Sequence, residues 1–118
     1  MKRDNIGYIL RRKSDGSYML YDEVRYSRAG ANQALWNWVS NNIPYRLHKH
    51  GYSTSEAWSI CHAAKRIRRD KYTLDAINDE LQRVYTKHPV TDEQINAYFA
   101  LREEMHDEWA IEQIKVVY

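Results

Sequence analysis

One cysteine, Cys61, is present among 118 residues, so no disulfide closes within the chain and a zinc site built from several thiolates is excluded. Two prolines and four glycines leave little material for elaborate active-site loops, and no glycine-rich phosphate loop, nucleophile elbow or zinc-protease signature occurs. Long apolar runs are missing too. The first apolar stretch, Ile6 to Leu10, is cut off by Arg11-Arg12-Lys13, which predicts neither a secretory signal nor a membrane span. A cytoplasmic protein in a reducing compartment, with no membrane partner, is the expectation. Charge of one sign is not in excess: 18 bases face 16 acids for a net of +2, with 43% hydrophobic residues, so the disordered class fits poorly. One folded domain spanning 1–118 is expected from the length.

The small net charge hides an uneven distribution. Up to Tyr72 there are 14 bases against six acids, a net of +8; beyond it, four bases against ten acids give −6. Such asymmetry points either to a polyanionic partner for the first part or to ion pairs between the two parts.

The pattern along the chain predicts an α+β fold that is mainly helical, an N-terminal antiparallel β-hairpin covered by about four α-helices. Two stretches rich in Tyr, Ile, Leu and Val flank Ser14-Asp15-Gly16, which reads as a hairpin over about 6–26. A three-residue loop with Gly16 left-handed sets Leu10 opposite Leu20 and Ile6 opposite Val24, and gathers Ile6, Tyr8, Leu10, Tyr18, Leu20 and Val24 on one face. The helical part is expected over about 31–114. A first helix covers Ala31 to Asn42 and stops at Ile43-Pro44, leaving Tyr45 to Tyr52 as a loop. Ser53 and Glu56 form a capping box that opens a second helix to about Arg69. Thr73 caps a third helix to Tyr85, broken by Lys87-His88-Pro89 and packed through Leu74, Ile77, Leu81 and Val84. Thr91 and Gln94 form a second box, Val90 and Ile95 a hydrophobic staple, and the fourth helix runs to about Gln113.

The sharpest functional pattern is on the second helix. Trp58, His62, Lys65 and Arg69 fall at i, i+4, i+7 and i+11 and so line one side, with Arg66 beside them. Cations in a row neutralise phosphates and release condensed counterions, while an indole stacks on a base or anchors a protein contact. Arg11, Lys13 and Arg25 of the hairpin are candidates to extend the same surface. The bland alternative is a tryptophan packed beneath a neighbour and a solvated basic face. A helix-turn-helix is disfavoured, because Asp75, Asp79 and Glu80 occupy the would-be reading helix and repel phosphate.

Other sets carry weaker signals. Trp36 and Asn37 lie on a helix without charge, and Arg102 and His106 interrupt the apolar face of the fourth helix; all four are candidates for a protein interface, the latter pair for a homodimer. The acidic side of that helix, including Glu93, Glu103, Glu104, Asp107 and Glu108, reads as a solvated face, a seat for the basic helix, or a mimic of nucleic-acid charge. Glu103-x-x-His106 has di-iron spacing without the second copy such sites need, and His48 and His50 lack further ligands, so no metal and no cofactor are expected. Cys61 and His62 are neighbours on a helix and point apart, unlike a nucleophile and its base. The reading is therefore a non-enzymatic, nucleic-acid-binding accessory or regulatory protein. The alternative is a protein-binding inhibitor or adaptor, of the small accessory type that phages encode, acting on a larger host assembly through the Trp36/Asn37 helix, the fourth helix or a strand edge.

Overall fold

Residues 4–19, 24–85 and 89–117 are described by the computed structural model. Element order is β1 (Asp4–Arg12), α1 (Arg28–Lys49), α2 (Thr54–Asp70), α3 (Leu74–Tyr85), α4 (Asp92–Asp107) and β2 (Trp109–Val117), an α+β and mainly helical architecture. The chain divides into two compact units, residues 1–41 with 104–118, and residues 42–103. Among the described residues no helix is long and apolar enough to cross a membrane.

In the first unit β1 is the middle of the β structure. On one edge it pairs antiparallel with β2 over nine positions, from Asp4 opposite Val117 to Arg12 opposite Trp109. On the other edge the chain returns as the expected hairpin, bridging Arg11 to Tyr18 and Tyr8 to Arg25. The hairpin's register differs from the expected one. Leu10 O accepts the N–H of Met19 at 3.0 Å rather than facing Leu20, and Arg12 N donates to Ser17 O at 2.7 Å, which makes the loop four residues long. Asp15 reinforces this turn: its carboxylate accepts both the N–H and the hydroxyl of Ser17, at 3.0 and 2.7 Å. Those two bonds hold the Asp15 carboxyl below the ordinary carboxylate range. Gly16 takes the expected positive φ, +73°. Ile6, expected on the covered face, is 51% exposed, whereas Leu10 is buried. Leu20 and the Lys87-His88 break lie outside the described residues, as do the side chains of Leu81 and Val84.

The fourth helix does not reach Gln113. It ends at Asp107, and Trp109–Val117 is strand β2. The segment holds Ile111 and Ile114, whose β-branched side chains suit a pleated surface. Opposite it, Arg12 lays its guanidinium 5.0 Å from the Trp109 ring centroid, and Arg11 reaches Glu112 diagonally across the ladder. Leu10, Ala31, Leu35, Val39, Met105 and Trp109 are buried apolar residues of this unit, and Trp38 meets Trp109 edge to face with centroids 5.4 Å apart.

Helix α1 is longer than expected at both ends. Ser27 supplies the cap, its hydroxyl accepting Gly30 N–H at 2.9 Å, so the helix starts at Arg28 rather than Ala31. It also passes through Pro44 rather than stopping there. Proline in a helix interior removes one backbone bond and costs about 3 kcal/mol. Leu35, Val39, Ile43 and Leu47 continue at intervals of four and are all buried, and burying two further aliphatic side chains at about 1.5–3 kcal/mol each offsets that cost. The helix then closes on Gly51 at φ +103°, with Tyr52 N donating to Leu47 O and Gly51 N to His48 O, the paired bonds of a Schellman motif.

In the second unit the expected capping boxes form. Ser53 Oγ accepts Glu56 N–H and the Glu56 carboxylate accepts Ser53 N–H, both at 3.1 Å. Thr91 and Gln94 exchange the same pair of bonds, and Thr73 Oγ1 accepts Ala76 N–H. Ile43, Leu47, Ala57, Ile60, Ile77 and Ile95 are among the buried apolar residues here. Val90 and Ile95, the expected staple, are both buried.

Candidate functional site

Helix α2 has two faces. Ala57, Ile60, Ala63 and Ala64 are buried, and on the opposite side the stripe Trp58, His62, Lys65, Arg69 meets solvent. Trp58 is 53% exposed, so the indole does not pack beneath a neighbour. His62 and Arg69 are exposed and Lys65 half-buried; none of these three forms an ion pair with another described residue. From Trp58 to Arg69 the stripe extends about 16 Å along the helix axis. Arg68 and Lys71 are exposed close by, at the end of α2 where the helix dipole favours cations.

Arg66 stands apart from the rest of the predicted set. Its Nη1 donates to both carboxylate oxygens of Glu80 on α3, at 2.7 and 2.9 Å, and its Nε lies 3.5 Å from Asp70. The guanidinium carbon sits 4.4 Å from the centroid of the Tyr72 ring. The Glu80 bonds raise the Arg66 pKa further above its already high value. This cation is spent inside the chain, fixing α2 against α3. It borders the stripe without adding a free charge to it.

Arg11, Lys13 and Arg25 belong to the other unit. Arg11 is engaged by Glu112, Nε to Oε2 2.5 Å, and by the Tyr18 hydroxyl and ring. Lys13 is exposed, its backbone N–H bonded to Glu108 O, and Arg25 is exposed with its backbone bridged to Tyr8.

The interface candidates are largely engaged as well. Trp36 stacks on His106 with ring centroids 4.0 Å apart and planes inclined by 21°, and His106 Nε2 lies 3.0 Å from Asn32 Oδ1. Its Nδ1 faces Asp107 at 3.6 Å. Asn37 is exposed and accepts from Gln33 at 3.1 Å. Arg102 keeps only 15% of its side chain exposed and pairs with Glu103 at 3.5 Å. Burial, and then the nearby charge of Arg68, pull its pKa below the ordinary value. A dimer face built on Arg102 and His106 would thus draw on groups already occupied within their own chain.

Sequence reasoning missed Tyr72 as a member of the site. The signal lay in the non-helical stop after Asp70, where Lys71 takes φ +60° and turns the chain so that Tyr72 meets Arg66. Among the described residues no group of three or more His, Cys, Asp or Glu is placed to hold a metal ion. No family model, no curated protein and no solved structure matches this chain.

Proposed function

We propose that the chain is a non-enzymatic nucleic-acid-binding module of accessory or regulatory type, acting in the cytoplasm through the outward face of α2. The observation that carries this reading is the open indole of Trp58 at the head of a row of cations that no described carboxylate pairs with. Lys65 and Arg69 supply phosphate contacts, Trp58 a stacking or anchoring surface, and His62 a further donor between them. Arg66 contributes by holding the helix rather than by touching ligand.

Salt dependence tests it. Titrating labelled oligonucleotide with protein between about 50 and 200 mM salt should give a falling log affinity. Replacing both Lys65 and Arg69 by alanine should flatten the slope by about 1.8 for duplex or about 1.4 for single strands. Unchanged retention of nucleic acid by that double variant at low salt would refute the reading. The second reading, a protein-binding inhibitor or adaptor, draws on one observation: among the described residues β2 is hydrogen-bonded to no strand besides β1, and a sheet edge of that kind is where a strand of another protein adds. A stoichiometric complex that tolerates salt would select it.

A further inference from the structure

Trp58 is not the sole aromatic surface at this site. Tyr72 is 47% exposed while one side of its ring is backed by the Arg66 guanidinium, itself gripped by Glu80 from α3. The ring therefore has a fixed orientation before any ligand arrives, and a planar ligand stacking on it loses little of the binding energy to ordering the protein. Along α2, Trp58 and Arg66 are separated by eight residues, about 12 Å of helix. Lys65 lies between them on the open side and Arg69 one turn further on, so aromatic surface and cation alternate over a short distance.

A duplex has little use for this arrangement. Its base faces are stacked on one another and its exterior is phosphate, so two open rings would meet backbone alone. Helix α3, which packs beside α2, carries exposed Asp75 and Asp79. Phosphates of a second strand would be repelled there, whereas one strand following α2 avoids them. Unpaired bases, in contrast, present π-faces that stack on indole and phenol regardless of sequence, while their phosphates take the intervening cations.

Resting on the function proposed above, we infer that the ligand is a single-stranded nucleic acid, with one base stacked on Trp58, another on Tyr72, a phosphate between them on Lys65 and the next phosphate on Arg69. The test is fluorescence anisotropy with the full chain and three labelled oligonucleotides of one mixed sequence: single-stranded DNA, single-stranded RNA, and the DNA duplex. Tighter binding of either single strand than of the duplex, by about tenfold or more at equal salt, upholds the inference, and the stronger of the two identifies the sugar. Trp58→Ala and Tyr72→Ala should each weaken single-strand binding by about 5- to 100-fold, and Trp58→Phe should keep most of it. Duplex binding should change by less than about twofold in these variants. Thermal melts establish that each variant is folded. Equal or tighter duplex binding overturns the single-strand inference and leaves the nucleic-acid reading standing, as does an equal loss of single-strand and duplex affinity in Trp58→Ala. Failure of all three oligonucleotides to bind at low salt overturns the underlying reading itself.

Discussion

Asn78 offers a quantitative test of how the second unit is held. From α3, its side-chain amide donates to Val90 O at 2.9 Å and its Oδ1 accepts Val90 N–H at 2.8 Å, imitating a backbone pairing just before α4 begins. Val90 itself is buried, so water does not readily replace either bond. Asn78→Ala removes two hydrogen bonds worth about 1 kcal/mol each and leaves a buried N–H and C=O unpaired. The expected loss is about 2–4 kcal/mol. At roughly 4 °C per kcal/mol for a chain of this size, thermal unfolding followed by far-UV circular dichroism should fall by about 8–16 °C. Asn78→Leu separates the two causes, since it fills the space and still removes both bonds; it should be about as damaging as alanine. A drop below about 3 °C in both variants, or a leucine variant as stable as the parent, would show that packing and not the paired amide holds this junction.

Burial pushes the Cys61 thiol up to about 11, so at pH 8 only about one molecule in a thousand carries the thiolate, and an aromatic disulfide reagent should react roughly 90-fold more slowly with the folded chain than with the unfolded one. Because the folded value lies above the unfolded one, this group's contribution is intact below about pH 9 and is lost as pH rises towards 11; denaturant midpoints should fall across that window, and a flat profile would contradict it. Gly51 has φ +103° and open space, with no atom within 4 Å, where an alanine methyl would stand; Gly51→Ala should therefore cost about 1–2 kcal/mol through backbone strain alone, read as a lowered unfolding midpoint.

The starts of α2, α3 and α4 were legible in Ser53, Thr73 and Thr91 because a cap bonds to amides two or three residues away, and such contacts are written in consecutive sequence. The outward stripe of α2 was legible for the same kind of reason: helical geometry alone places residues 58, 62, 65 and 69 on one side. Ser27 and the Gly51 stop carried equally local information about α1, and Pro44 masked the second. Proline's cost is visible in sequence, while the burial of Ile43 and Leu47 that outweighs it exists only in the folded chain. Sequence by itself thus determined the mainly helical α+β class, most helix starts and the face that bears Trp58. Tertiary structure decided that residues 109–117 form a strand rather than the end of a helix: their β-branched residues allow a strand, but the partner that selects it, β1, lies about a hundred residues away. It also decided which cations stay outward, since Glu80 reaches Arg66 from another helix while Lys65 and Arg69, one position earlier and three later, lie about 60–100° further round the helix.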